Sequence, residues 1–208
     1  TCAALASLFW NWELSLLTAD VRYADLFEWQ LYNAAAVGMG LDGDDYLYNN
    51  PLACRGGVTR RPWFAVPCCP SNLSRTWAAL GRYVYSCDES NIWVHQYVGS
   101  KVTEDGGRWT VTMESGLPWE GKIRIAVESK AAEEFTLHLR IPSWAGGVNL
   151  RINDEQIPVT RHASPVTRYH PRKGHSSPVS GYNPADAFYL PITRTWTAGD
   201  VLELDFEM

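Results

Sequence analysis

The sequence lacks an excess of positive charge and a long apolar run. Its 18 Lys and Arg residues against 23 Asp and Glu residues give a net charge of −5, which excludes the basic footprint typical of nucleic-acid binding. The apolar N-terminal stretch is interrupted by Asn11 and Glu13, which argues against a membrane span or a signal peptide. We therefore predict no nucleic-acid partner, no membrane partner and a cytoplasmic location.

A disulfide framework is also missing. The 208 residues contain five cysteines, whereas small disulfide-stapled domains usually have an even number at regular spacings. This favours a reducing compartment in which thiols bind a metal or take part in catalysis. The ten Trp and ten Tyr residues could fill a core or provide flat faces for a ligand such as a sugar.

The period of the apolar residues changes near residue 90. Before it, apolar residues recur every three or four positions, which predicts one helix over 5–16, a break at 18–20, a second helix from Val21 to about Gly38 and a third from Ser71. Helix pairs with a functional loop between them are typical of a helical barrel or bundle. After residue 90 the period is two, which predicts an antiparallel β-sandwich. The clearest alternating segments are 123–127, 135–141, 148–152 and 202–206.

These patterns predict an α+β chain with domains at 1–90 and 91–208. A turn is expected at Asn153-Asp154, and the segment near 160–187, rich in Pro, Ser and Gly, is predicted to be a long surface insertion. The irregular run 38–70 is too long for an ordinary connection, so we expect a functional loop or short strands there. Its G-x-G-x-x-G at 38–43 follows a helix rather than a strand and is interpreted as a turn.

The most informative motif is the adjacent cysteine pair Cys68 and Cys69, flanked by Pro67 and Pro70. Neighbouring cysteines are too close to form a relaxed disulfide, and thiolates are suitable zinc ligands. The alternative is that both thiols are small buried apolar groups. The sequon Asn72-Leu73-Ser74 follows directly, and we interpret it as a chance match.

Four stretches of the sequence resemble glycoside hydrolase family 127, the retaining β-L-arabinofuranosidases. They are "TCA", "LYNAAAVGMGLDGDDYLYNNPL", "RRPWFAVPCCPSNLSRTWAALGRYVY" and "FYLPITRTWTAGDVLELDF". The resemblance covers most of the chain and is weakest over 155–182. It implies part of an (α/α)6 barrel followed by β-sandwich domains, with this chain as the C-terminal part of such an enzyme.

The resemblance also implies roles for individual residues. Cys68 would be the catalytic nucleophile that forms a covalent thioglycosyl intermediate, and Cys2, Cys68 and Cys69 would bind Zn2+. The fourth family ligand and the general acid/base are glutamates that would precede Thr1, so the chain would contain the nucleophile without its proton donor.

Two aromatic residues near the pair are candidate substrate contacts. Tyr48 matches a family tyrosine and would hydrogen-bond the sugar or the thiolate, unless it is a packed loop residue. Trp63, with Phe64, would form an aromatic wall for the sugar, or would pack in a core instead.

The expected function is therefore release of β-linked L-arabinofuranose from an arabinose-containing oligosaccharide or glycan. The alternative from the same residues is a non-catalytic carbohydrate-binding or structural module with a structural zinc-cysteine site.

Overall fold

The computed structural model describes residues 1–51, 53–159 and 186–208. Residue contacts divide the chain into two compact units, Thr1–Arg82 and Tyr83–Met208. The insertion predicted near 160–187 falls almost wholly outside the described residues. Among the residues described, no helix combines the length and the apolar character needed to cross a bilayer. The domain limits at 90 and 91 stay a prediction.

The first unit contains three α-helices. They are α1 (Cys2–Thr18), α2 (Val21–Gln30) and α3 (Cys68–Ala78), and α2 continues through a π-helical turn (Leu31–Ala35) and a 3-10 turn (Ala36–Gly38). The predicted break between the first two helices is confirmed. Ala19 ends α1 in the left-handed conformation at φ 54°, and the side chain of Asp20 caps α2 by accepting a hydrogen bond from the Arg22 amide at 3.1 Å.

Apolar packing holds these helices together. Trp12 of α1 meets Phe27 of α2 edge-to-face, with ring centroids 6.1 Å apart. The end of the second helical segment lies so close to α3 that a Cβ on Gly38 would be 2.8 Å from the Leu73 side chain. Leu73 is fully buried, so this contact fixes α3 against the rest of the unit.

The run 38–70 is held by isolated bridges. Tyr46 pairs with both Met39 and Arg61. The predicted turn at 38–43 is confirmed, because the Gly43 amide donates to the Gly40 carbonyl at 3.0 Å and Gly43 has the positive φ of 77° that favours glycine. The segment 38–70 is thus held by the pairing of Tyr46 with Met39 and Arg61 rather than by a regular strand ladder.

The second unit consists of two β-sheets that share one hydrophobic core. Their strand orders are β1-β2-β6-β9 and β3-β4-β5-β10-β7-β8. Inward-facing residues from both sheets form a single buried cluster, in which Trp196 is fully buried. The strands are β1 (Tyr85–Cys87), β2 (Asn91–Val94), β3 (Ser100–Thr103), β4 (Trp109–Ser115), β5 (Lys122–Ser129), β6 (Glu133–Ile141), β7 (Val148–Ile152), β8 (Glu155–Ile157), β9 (Phe188–Trp196) and β10 (Asp200–Phe206).

The alternating pattern located β5, β6, β7 and β10 but not every pairing direction. The predicted turn at Asn153-Asp154 is confirmed, with positive φ at both residues, as a two-residue hairpin turn between β7 and β8 requires. The expectation of purely antiparallel sheets is wrong for one pair, because β2 and β6 are parallel. Three strands of the other sheet separate them in sequence, and a connection of that length permits either direction.

Candidate metal and catalytic site

Three cysteine sulfurs meet at the start of two helices of the first unit. Cys2 Sγ lies 3.3 Å from Cys69 Sγ, and Cys68 Sγ lies 3.8 Å from Cys69 Sγ. All three lie within 4.8 Å of one another, and they are the only cluster of three or more potential metal ligands among the described residues. All five cysteines of the chain are free thiols, and the separations within the cluster exceed the disulfide bond length of about 2.05 Å.

The cysteine pair lies inside a helix rather than at the end of a loop. The third helix was expected to begin at Ser71, but α3 begins at Cys68. Pro70 caused the error, because proline normally interrupts helices. In the first turn, however, the backbone amides have no partner within the helix, so proline is tolerated there. Because both cysteines lie in the first turn of α3, the positive end of the helix dipole stabilises their thiolate forms.

Tyr48 completes the arrangement around the exposed sulfur. Its hydroxyl lies 3.0 Å from Cys68 Sγ. The Tyr48 loop is tied to the start of α1, because the Thr1 hydroxyl donates to the Leu47 carbonyl at 2.9 Å and the Thr1 nitrogen donates to the Tyr48 carbonyl at 3.3 Å. Residues that are distant in sequence are thereby held together at one point.

The three groups differ in how readily they ionise. Hydrogen bonding by the Tyr48 hydroxyl lowers the pKa of the Cys68 thiol, and the same bond raises the pKa of Tyr48 to about 12. Burial, helped by the neighbouring Cys2 thiol, raises the pKa of Cys69 to about 11. The exposed Cys68 is therefore the more readily ionised member of the pair, and Cys69 needs a nearby cation to become an anion.

The donor set fits a tetrahedral thiophilic metal. A Zn–S bond of about 2.3 Å places tetrahedral sulfurs about 3.8 Å apart, and the Cys68–Cys69 distance is 3.8 Å. The Cys2–Cys69 distance of 3.3 Å would have to open by about 0.5 Å to reach the same geometry. The residues present thus supply three of the four ligands of such a site.

An open cleft of about 800 Å³ lies beside Tyr48. Its lining includes Tyr48, Asn49, Thr59, Arg61 and Phe64. The rings of Tyr48 and Phe64 are 5.4 Å apart, so the two aromatic side chains lie together at the cleft. Trp63 is not among the lining residues; the residue is 55% exposed, and its ring meets that of Tyr46 edge-to-face at 6.0 Å.

One contact of the site had no counterpart in the sequence-based prediction. The Asn72 amide nitrogen donates to Cys2 Sγ at 3.1 Å. Asn72 follows Cys69 by three positions, which puts both side chains on one face of α3, and this spacing was the signal available in the sequence. The remaining cysteines lie apart from the cluster: Cys54 contacts Gly56 in its own loop, and Cys87 is in β1.

Comparison with known families assigns both units. Residues 1–82 match the model described as the catalytic domain of the family 127 β-L-arabinofuranosidases. Residues 91–169 match the model described as the middle domain of the same family. Between them the two models cover more than half of the chain.

Individual relatives agree with these matches. A non-reducing end β-L-arabinofuranosidase from Bifidobacterium longum subsp. longum is 30% identical over 170 residues, which are 74% of this chain and 26% of the relative. The crystal structure of a family 127 β-L-arabinofuranosidase from Geobacillus stearothermophilus T6 is 35% identical with a TM-score of 0.79, covering 100% of this chain and 31% of that one. A second family 127 β-arabinofuranosidase structure is 30% identical with a TM-score of 0.79, covering 100% and 32%.

The chain spans about a third of the length of these solved structures and about a quarter of the curated relative. The similarity nevertheless runs through both units and includes the stretches around the three cysteines. The chain therefore belongs to glycoside hydrolase family 127, with residues 1–82 matching its catalytic-domain model and residues 91–169 matching its middle-domain model.

Proposed function

We propose that this chain supplies the nucleophile and most of the metal ligands of a retaining glycoside hydrolase that releases β-linked L-arabinofuranose. The observation that carries the proposal is the Tyr48 hydroxyl 3.0 Å from the exposed sulfur of Cys68, and Tyr48 itself lines an open cleft. A sulfur that is exposed, hydrogen-bonded and at a helix N-terminus has the properties of a reactive cysteine. Its two neighbours differ, since Cys69 is buried and Cys2 is partly buried.

In the proposed reaction, the Cys68 thiolate attacks the anomeric carbon of the sugar. A carbon–sulfur bond forms while the bond to the leaving oxygen breaks, and its electron pair leaves with that oxygen. Tyr48 donates its hydrogen bond to the sulfur before attack, which favours the anionic form of the sulfur. Water then displaces the sulfur in a second step, and two successive inversions give overall retention.

Cys2, Cys68 and Cys69 would hold Zn2+, with the fourth ligand supplied from outside the described residues. When bound, the ion keeps the sulfurs ionised near neutral pH. The chain's own contribution is to hold the three sulfurs within 4.8 Å and to leave Cys68 as the most accessible of them.

Substrate contacts are proposed on the cleft side of the sulfur. Tyr48 and Phe64 form one wall, and Arg61 and Thr59 offer hydrogen bonds to sugar hydroxyls. We retain Trp63 as a stacking surface because its ring is half exposed. The substrate class would be an arabinose-containing oligosaccharide or glycan. At the level of architecture, we propose that the helices are part of an (α/α)6 barrel and that the two sheets form a sandwich.

The nucleophile can be tested with the chain as it stands. A 4-nitrophenyl β-L-arabinofuranoside has a leaving group that departs without a proton donor, so the first step would proceed even without the general acid. The expected result is a covalent adduct carrying one anhydropentose, detected by intact mass and assigned to Cys68 by peptide mapping. Cys68→Ser should abolish the adduct, while Cys87→Ser, which removes an exposed thiol of the second unit, should leave it unchanged.

The same experiment tests the alternative function. If no thiol is glycosylated while the chain still binds zinc through its cysteines, the chain is a structural zinc-cysteine module and the nucleophile assignment is wrong. An adduct at Cys2 or Cys69 instead of Cys68 would also contradict the proposal.

A further inference from the structure

The sequence Asn72-Leu73-Ser74 has the form of a glycosylation site, but the structure gives its asparagine another role. The Asn72 amide nitrogen lies 3.1 Å from Cys2 Sγ. Leu73 is fully buried, and the Asn72 carbonyl accepts a hydrogen bond from the Thr76 hydroxyl at 2.7 Å. The side chain therefore projects from a fixed backbone toward the sulfur cluster.

The chemistry of the contact defines the orientation of the amide. The NH2 group of Asn72 is the donor in this contact and the Cys2 sulfur is the acceptor. Hydrogen bonds to charged acceptors are stronger than those between neutral groups. Cys69 and Asn72 are three residues apart on α3, so one face of this helix supplies both a sulfur and a donor to Cys2.

Cys2 depends on this contact more than its partners do. Cys68 and Cys69 are neighbours held next to each other by the backbone of α3, whereas Cys2 comes from a different helix, α1. The Cys2 sulfur is joined to the cluster by its contacts with Cys69 Sγ and with the Asn72 amide. A change at Asn72 would release the one ligand that comes from another helix.

We infer that Asn72 is a positioning residue that holds Cys2 in place as a ligand of the proposed zinc site. The inference rests on the proposed function, because it assumes that Cys2 binds the metal. Outer partners that orient a ligand typically change metal affinity by about 10–100-fold when removed. Glycosylation of Asn72 would be incompatible with this role, since a glycan on the amide nitrogen would displace it from the sulfur.

The test measures zinc affinity of the full 208-residue chain by competition with a chelating dye, using zinc ion as the only ligand. Asn72→Leu keeps the approximate shape of the side chain but removes the donor, and it should weaken zinc binding about tenfold. Asn72→Ala should behave similarly. Ser74→Ala destroys the sequon but keeps the amide, so its zinc affinity should equal that of the unchanged chain.

A double-mutant cycle separates a ligand-positioning role from a general effect on folding. In a Cys2→Ser background, Asn72→Leu should cause no further loss of zinc affinity, because the sulfur that it holds is already absent. Wild-type affinity in Asn72→Leu, or an equal loss in both backgrounds, would overturn the inference while leaving the zinc proposal intact. If the unchanged chain shows no cysteine-dependent zinc binding, the proposed metal site and the inference both fail.

Discussion

Acid should destabilise the second unit through one buried histidine, His95. Its side chain is held by Ser86 Oγ at 2.7 Å and by the Tyr189 hydroxyl at 2.6 Å, and only 4% of the residue is exposed. Burial, together with the positive charge of Arg140, lowers the pKa of His95 to about 3. The folded chain therefore keeps this imidazole neutral at pH values where an unfolded chain would protonate it.

The sign and size of the effect follow from the two pKa values. An unfolded histidine titrates near pH 6.5, so below that pH the unfolded state binds a proton at His95 that the folded state does not bind. The contribution to stability is complete above about pH 6.5 and is lost progressively as the pH falls toward 3, at about 1.4 kcal/mol per pH unit. Lowering the pH from 7 to 5 should therefore reduce the free energy of unfolding by about 2 kcal/mol. This is a substantial part of the stability of a typical domain, which is about 5–15 kcal/mol.

Native-state hydrogen exchange can measure this loss locally. The amides of Leu137 and Leu139 in β6 are suitable reporters, because both side chains are fully buried in the core of the second unit. His95→Gln removes the titration while keeping groups that can hydrogen-bond, so the difference in opening free energy between pH 7 and pH 5 should shrink by about 2 kcal/mol. His138→Gln is the matched control, because His138 is only half buried and its pKa is less strongly lowered. An identical loss in the unchanged chain and in His95→Gln would refute the reasoning.

Two further predictions concern the first unit. Tyr48→Phe removes the hydrogen bond that contributes most to lowering the pKa of Cys68, so in metal-free protein the midpoint of Cys68 alkylation by iodoacetamide should move to higher pH; an unchanged midpoint would show that Tyr48 does not control the thiol. Leu73→Ala leaves a cavity at a fully buried position against Gly38. It should lower the free energy of unfolding, measured in urea, by about 2–5 kcal/mol. A decrease below about 1 kcal/mol would mean that α3 is not held by this contact.

The sequence predicted those features that depend on local periodicity. The helix break near Ala19, the turn at Asn153-Asp154 and the alternating segments that became β5, β6, β7 and β10 were all identified from neighbouring residues. The start of α3 was misplaced, because the general aversion of helices to proline does not apply in the first turn. The parallel pairing of β2 and β6 was missed because alternation reports which face a residue occupies and not the direction of its partner.

By itself, the sequence determined which residues could carry chemistry: the cysteine pair, a third cysteine at position 2 and a tyrosine in the preceding loop. Only the tertiary structure decided that Cys2 comes within 3.3 Å of Cys69, that Tyr48 reaches Cys68 and that the Asn72 amide donates to Cys2 Sγ. The physical reason is the distance along the sequence between the residues that come into contact. Helix and strand patterns repeat over a few residues, whereas the Cys2–Cys69 contact joins positions 67 residues apart, and such contacts are created by the packing of helices against one another rather than by any local pattern.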